Sequence, residues 1–291
     1  MKTSVCWAEE RFYDGRQWTE MPILTDYHLH SSFSGDSDTP MEKMVERGIA
    51  MGMEAMCFTE HMDMDYPYNK GEKGIFELDT DAYVHGFRHC KEKYGGQIRL
   101  QFGIELGIQP HLAGKLEAYV KKYPFEFVIA SSHVCNGKDP YYADFYKGRT
   151  QEAAYREYFQ SILDNLKVFH DYDIYGHLDY VVRYGPEKDR GYSYGKYGDI
   201  LDKILCHLVE SGKGIEVNTG AIPHGLKELN PSTDILKRYR NLGGEIITVG
   251  SDAHAPERIG EGFERVADIL KSCGYKYYTV FADRKPEFIK L

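Results

Sequence analysis

In Thr25-Asp26-Tyr27-His28-Leu29-His30, two histidines stand two positions apart directly after an apolar stretch. On a strand, that spacing turns both imidazoles to one face. The pattern recurs downstream. His28, His30, His61, His133, His177 and His254 all follow or end short runs rich in β-branched or aromatic residues. Of the other histidines, His85, His89, His111, His170 and His207 fall in helix-period segments, and His224 falls in a loop. Neutral imidazole is the commonest metal ligand, so six imidazoles at strand ends point to metal binding more economically than to six separate structural roles. Carboxylates complete the set. Glu105 closes FGIEL, Asp252 precedes His254 by two in GSDAH, and Asp36 lies in the loop after His30. Nine ligands exceed what one ion takes, since a catalytic zinc uses three protein groups plus water. They suffice for two or three divalent ions with a bridging carboxylate. Asp26 and Glu60 stand beside ligand positions and are expected to accept hydrogen bonds from imidazole N–H groups.

Regular elements have to bring these residues together. Strand candidates at 23–30, 55–61, 98–106, 125–134, 173–181, 213–220 and 245–254 alternate with amphipathic stretches that start near 40, 79, 111, 150, 199, 232 and 260. Strand–helix alternation predicts a parallel sheet, because parallel neighbours need helical crossovers. Seven units without a composition break favour one seven-stranded α/β barrel of the TIM type over a doubly wound sheet. No Gly-rich phosphate fingerprint follows the first strand, which points the same way. In such a barrel the chemistry lies on the loops after the strands, where the nine ligands fall. Thr39 is expected to cap the first helix, with Pro40 at its first position. Residues 1–22 read as an N-terminal extension, 23–291 as the barrel, and 276–291 as a final short strand and tail.

The composition excludes several classes. The chain has 291 residues, 42% hydrophobic and 28% charged, with a net charge of −9. No apolar run approaches the roughly 18 residues of a membrane span. The polar N-terminus lacks a signal-peptide core, so the six cysteines are expected to be reduced thiols of a cytoplasmic protein. None of them forms a Cys-x-x-Cys pair. The acidic balance and the lack of a basic stripe disfavour nucleic acid as a partner. A small anionic substrate remains compatible, since divalent ions reverse the local field. Tyrosine-rich loops at 66–69, 139–146 and 190–198 suit either a pocket for a ring or ordinary loop packing.

The ordered set D-Y-H-L-H, T-E-H, Glu105, S-S-H-V, G-H-L-D-Y and G-S-D-A-H resembles the polymerase-and-histidinol-phosphatase (PHP) family over about residues 23–290. Within it, the chain is most similar to the branch of monofunctional histidinol phosphatases. D-x-H-x-H alone says little, because amidohydrolases also open with H-x-H, but those usually add a carboxylated lysine after strand four, absent here. The resemblance implies a distorted seven-stranded β/α barrel holding two or three divalent ions, commonly zinc, manganese or iron. It implies a first metal at His28, His30, Glu105 and Asp252, and a second bridged by Glu105 and held by His133 and His177. A third would take Asp36, His61 and His254. The implied reaction is hydrolysis of a small phosphomonoester, foremost L-histidinol phosphate to L-histidinol and phosphate in histidine biosynthesis, by attack of a metal-bridging hydroxide on phosphorus. Arg183 stands where related phosphatases carry a phosphate-binding arginine, and Arg258 in HAPERIG is a further candidate.

One departure bears on the substrate. The branch typically has N-T-S-G-L-R-K-G after strand six, whereas this chain has N-T-G-A-I-P-H-G. Pro223 thus replaces an arginine, with His224 beside it as a candidate phosphate ligand or general acid. A PHP phosphatase or cyclic phosphodiesterase acting on another small ester or nucleotide is the alternative. A non-catalytic metal-binding regulatory module is a further one, although it predicts a broken ligand set. The sequence indicates no oligomeric state.

Overall fold

The computed structural model describes residues 23–67 and 73–291, together with two short antiparallel segments, Phe12–Tyr13 and Arg16–Gln17. Most of the 1–22 extension, including Cys6, and Tyr68 and Asn69 of the first tyrosine-rich loop lie outside the described residues.

Seven strands run parallel: β1 (Thr25–Leu29), β2 (Ala55–Phe58), β3 (Arg99–Gly107), β4 (Phe127–Ser131), β5 (Ile174–Tyr175), β6 (Gly214–Asn218) and β7 (Ile247–Gly250). They pair in sequence order from β1 to β7. The two-residue segment His61–Met62 also pairs with β3. The sheet then nearly closes on itself. Leu29 bridges Ala253 in parallel, His30 N–H donates to Ala253 O at 2.9 Å, and Asp252 N–H donates to His28 O at 2.7 Å. Every residue of the seven strands except Arg99 is buried, as a sheet filled inside and covered outside requires. This is the barrel that the strand–helix alternation predicts.

Seven helices cover it: α1 (Met41–Met51), α2 (Thr80–Tyr94), α3 (Ala113–Lys122), α4 (Gln151–Leu166), α5 (Tyr194–Glu210), α6 (Thr233–Asn241) and α7 (Phe263–Ser272). Their buried faces follow the 3.6-residue period. In α1 these are Met41, Met44, Val45 and Gly48; in α7 they are Phe263, Val266, Ala267 and Leu270. Helix α1 stops at Gly52, whose left-handed φ of 75° lets its N–H turn back to the carbonyls of Gly48 and Ile49.

Local chemistry misled the sequence reading at four places. Thr39 does not cap α1. Pro40 occupies the cap without a side-chain bond, and the Ser37 and Thr39 hydroxyls instead donate to His254 O at 2.8 and 3.2 Å. That ties the first barrel loop to the last. The fifth strand is only two residues long; beyond it Gly176 N–H still donates to Ala130 O at 2.8 Å and the glycine packs so closely against Ser131, Ile129 and Glu216 that an added Cβ would lie within 3.0 Å of each. His177 therefore stands on a loop, followed by the 3-10 turn Tyr180–Arg183. Helix α5 begins at Tyr194 rather than 199, since Tyr197 is buried against Phe159 at 5.3 Å.

The fourth is the C-terminal tail, which is a strand: β8 (Tyr277–Ala282) and β9 (Lys285–Lys290) form an antiparallel hairpin. Its turn residues Asp283 and Arg284 both have positive φ, 49° and 63°, the backbone of a tight hairpin turn that usually recruits Asn-Gly or Asp-Gly. Arg284 binds Asp173 and Asp171, and Phe281 O accepts from Tyr27 OH and Gln101 Nε2 at 2.9 and 2.8 Å. The hairpin thus covers the barrel end opposite the histidines.

Candidate metal centre

All nine expected ligands converge at the C-terminal rim of the barrel. At the centre stands Glu105 on β3, fully buried, with its two carboxylate oxygens facing different histidines. Oε1 lies 3.2 Å from His133 Nε2 and 3.0 Å from His177 Nε2. Oε2 lies 3.2, 3.6 and 2.9 Å from His28 Nε2, His30 Nε2 and His61 Nδ1. Asp252 Oδ1 is 3.7 Å from His28 Nε2 and 3.5 Å from His30 Nε2. Asp36 Oδ2 lies 3.2 Å from His254 Nε2 and 3.6 Å from His61 Nε2.

Four imidazoles are oriented alike. His28 donates its Nδ1–H to Glu216 at 2.9 Å, and His133 to Asp63 at 2.8 Å. His30 donates to Ser34 Oγ at 3.1 Å, whose hydroxyl is itself held by Glu60 at 2.6 Å. His254 donates to the Asp252 carbonyl at 2.9 Å. Each bond fixes the tautomer and turns Nε2 inward, the arrangement that metal-binding histidines show.

These residues fit divalent cations. The nitrogens His28 Nε2, His30 Nε2, His61 Nδ1, His177 Nδ1 and His254 Nε2 and the oxygen Glu105 Oε2 are buried without a hydrogen-bond partner, although buried polar atoms are nearly always paired. Ligands at about 2.1 Å around a tetrahedral ion lie about 3.4 Å apart, close to the separations among His28, His30, Glu105 and Asp252. The groups overlap: His61 joins Glu105 and His133 as well as His30 and His254, and His177 joins His28 and Asp252. Glu105 belongs to two of these groups, as expected of a carboxylate that bridges two ions, and His61 stands between the Glu105 side and the His254 side of the cluster.

Electrostatics point the same way. Burial opposes ionisation of Glu105, but the His28, His133 and His61 charges outweigh it and hold its carboxyl well below the usual range. Asp252 is likewise held low by His28, His30 and Arg183 against its burial. Burial also opposes charging of His133, and the carboxylates of Asp63 and Glu105 overcome it, raising its pKa to about 10. Carboxylates this deep require positive charge beside them, and divalent ions supply it more strongly than protons do.

Asp26 and Glu60 are not imidazole acceptors. Asp26 accepts from Ser251 N–H and Oγ–H at 3.0 and 2.5 Å and is tied to Gly260. It also accepts the backbone N–H of His28 at 3.3 Å, but not the imidazole. Glu60 accepts from Ser31 and Ser34 and reaches His30 only through Ser34. The carboxylates that accept the Nδ1–H groups of these imidazoles are Glu216 and Asp63, which sequence reasoning missed. Both left a signal. Asp63 follows His61 by two, and Glu216 and Asn218 alternate within the otherwise apolar GIEVN.

Arg183 is 4% exposed, and its guanidinium is held in three directions. It donates to Asn230 Oδ1 at 2.7 Å, Asn218 Oδ1 at 2.7 Å and Asp252 Oδ2 at 2.9 Å. Asn218 in turn donates to Glu216 at 2.9 Å, linking Arg183 to His28. Asp252 adopts φ 58°, a left-handed conformation that Asp tolerates better than most residues, and from it divides its two oxygens between His28/His30 and Arg183. Gly250 is required beside them, because an added Cβ would overlap that of His28 and lie 2.8 Å from Glu216.

A cavity of about 400 Å³ opens above the cluster, lined among others by Arg183, Arg258, Pro223, His224 and Tyr184. Arg258 also pairs with Glu261 at 2.6 Å. The His224 ring packs edge-on to Tyr184 at 5.0 Å. Burial, then the nearby Arg183 charge, lower its pKa to about 4, which favours the neutral imidazole at pH 7, with one N–H to donate in a hydrogen bond. The unfolded chain binds that proton near pH 6.5, so the stability that depends on a neutral His224 is present above 6.5 and is lost as pH falls towards 4. His224→Gln is therefore expected to flatten the decline in Tm between pH 6.5 and 4. An unchanged decline would show that another group causes it.

Comparison with known proteins agrees with this geometry. The PHP domain model matches residues 26–220. The histidinol-phosphatase of Lactococcus lactis is 34% identical over 262 residues, covering 89% of this chain and 95% of that protein. The probable histidinol-phosphatase of Clostridium acetobutylicum is 31% identical over 264 residues, covering 90% and 98%. The solved structure of the L. lactis histidinol phosphate phosphatase, in complex with zinc, L-histidinol and phosphate, superposes with a TM-score of 0.82 at 32% identity, covering 91% of this chain and 98% of that one. With its barrel, its rim of imidazoles around one glutamate and these relatives, the chain belongs to the PHP domain family.

Proposed function

We propose that this protein is a metal-dependent histidinol phosphatase, hydrolysing L-histidinol phosphate to L-histidinol and inorganic phosphate as a step of histidine biosynthesis. The observation that supports it most is Glu105, whose two oxygens face two sets of inward-turned imidazoles beneath a cavity that also exposes Arg183. The L. lactis relative, solved with zinc, L-histidinol and phosphate, supports the choice of ester. His28, His30, Asp36, His61, Glu105, His133, His177, Asp252 and His254 would hold two or three divalent ions, of zinc, manganese or iron. When bound, such ions lower the pKa of coordinated water towards neutrality and offset charge on phosphoryl oxygens. The chain's own residues supply the rest. Arg183, anchored by Asn218, Asn230 and Asp252, presents its remaining N–H groups to phosphate in a fixed plane. Arg258 supplies the second cationic contact that Pro223 cannot. His224 serves as a neutral hydrogen-bond partner. Glu216 and Asp63 keep His28 and His133 in one tautomer.

The continuous core from Ile23 to Phe281 supports treating 23–291 as one catalytic unit, with 1–22 as an extension. Five described cysteines are free thiols, which suits a reducing, cytoplasmic setting. No described helix is long and apolar enough to cross a membrane.

Phosphate release measured across histidinol phosphate, sugar phosphates, nucleotides and cyclic phosphates tests the reading. Histidinol phosphate is expected to lead by roughly 100-fold or more in kcat/KM, the equivalent of about 2.7 kcal/mol. A lead for cyclic phosphates or nucleotides would favour the reading suggested by Pro223, a PHP phosphoesterase of different substrate. Chelation is expected to abolish turnover and lower Tm, and zinc, manganese or iron(II) to restore both. At a metal concentration 1,000 times Kd the gain in stability is about 4 kcal/mol. Full turnover in material shown metal-free by elemental analysis would end the metal-dependent reading. Arg258→Ala is expected to raise KM about 10-fold, the loss of one charge-assisted contact; an unchanged KM would leave Arg258 only its pairing with Glu261.

A further inference from the structure

The cavity is lined by five carboxylates, and four of them already face a cation or an imidazole. Asp36 faces His61 and His254, Asp63 faces His133, Asp252 faces Arg183, and Glu261 faces Arg258. The fifth is Asp139. It is 5% exposed and lines the same cavity. Its partners are neutral: one oxygen accepts the Tyr66 hydroxyl and the other the Tyr141 N–H at 2.7 Å. Among the described residues no lysine, arginine or histidine forms an ion pair with it.

Two neutral donors and the more distant His133 only partly offset a buried carboxylate's charge, so burial still raises its pKa. The walls around it are aromatic. Tyr66, Phe76, Tyr180 and Tyr184 line the cavity with it, Tyr66 packs edge-on to Phe76 at 4.7 Å and Tyr180 to Tyr184 at 5.0 Å. A carboxylate set among ring faces is the chemistry that receives an organic cation, by charge pairing and by attraction to the ring quadrupole. Arg183 and the imidazole cluster give the cavity a part suited to an anion, so the two parts together match a phosphate ester that also carries an ammonium group. Tyr66 joins the loop after His61 to the loop after His133 through Asp139, which keeps the carboxylate from turning away.

We propose that Asp139, within its tyrosine wall, is the subsite for the cationic amino group of the substrate, making this cavity selective for phosphomonoesters of amino alcohols. The inference rests on the histidinol phosphatase reading and adds the residue that selects the organic half of the ester. It places no demand on the attack at phosphorus.

The test compares two esters on the metal-loaded enzyme: L-histidinol phosphate, which carries the amine, and glycerol 3-phosphate, which does not. The ratio of their kcat/KM values is expected to fall at least about 10-fold in Asp139→Asn, mainly through a higher KM for histidinol phosphate, since the variant leaves the ammonium group desolvated without its counter-charge. Tyr66→Phe removes only the anchoring hydroxyl and is expected to lower the ratio less. Because the readout is a ratio within one preparation, general damage to the fold cancels. Equal losses on both esters, or an unchanged ratio, would overturn the subsite. Failure of the wild-type enzyme to prefer histidinol phosphate would overturn the phosphatase reading and the subsite with it, whereas a wild-type preference that Asp139→Asn retains would overturn the subsite alone.

Discussion

Glu105→Gln is expected to reduce phosphate release by on the order of 10⁴-fold, as removal of one member of a cooperating catalytic set does, with the metal content per chain reduced. The two side chains have nearly the same volume, so the fully buried site keeps its packing. What changes is charge. Oε1 and Oε2 now each face inward-turned imidazoles at 2.9 to 3.6 Å. A neutral amide cannot bridge two cations, and its NH2 group would meet nitrogen atoms that should be free for metal. Elemental analysis together with circular dichroism separates loss of metal from loss of fold. A folded variant with full metal content and turnover within 10-fold of the wild type would rule out a bridging role for this residue.

Arg183→Ala should weaken both catalysis and the fold, and to different extents with and without metal. Truncation strips the donor from Asn218, Asn230 and Asp252 at once and leaves Asp252 buried beside a void. Breaking a buried ion pair from one side destabilises by about 3–5 kcal/mol. In the loaded enzyme an ion held by Asp252 would still offset its charge, so the loss in Tm is expected to be larger after chelation. Removal of a preorganised donor from a reacting phosphoryl group reduces turnover by roughly 10²–10³-fold. Arg183→Lys keeps the charge but not the planar fork, and is expected to recover stability better than activity. Melts with and without chelator, beside phosphate-release kinetics, check both parts. A variant with normal kinetics and a lower Tm would confine Arg183 to holding Asp252 and its neighbours in place.

That these nine side chains gather at one rim was legible because it follows from local periodicity. His28 and His30, or Asp252 and His254, share a face wherever the chain is extended, and the apolar runs before them mark strand ends. The barrel was legible from the alternation of those runs with amphipathic segments. The boundaries were less so. The fifth strand shrinks to Ile174–Tyr175 and the tail becomes β8–β9, whose turn residue Arg284 is held by Asp171 and Asp173 far along the chain. Asp26 and Glu60 were misread for the same reason. A carboxylate beside a ligand in sequence need not touch it, and here serine and backbone donors claimed both.

The sequence by itself determined which side chains can bind metal, their order along the chain and the class of fold that gathers them, since residue type and period are properties of short segments. Only the tertiary structure decided how those ligands group, that Glu216 holds His28 across 188 positions and Asp63 holds His133 across 70, that His224 is neutral, and that Asp139 faces the cavity without a cation. Hydrogen bonds, burial and charge at a site depend on which distant segments the closing barrel brings within a few ångströms, and no local pattern encodes those distances.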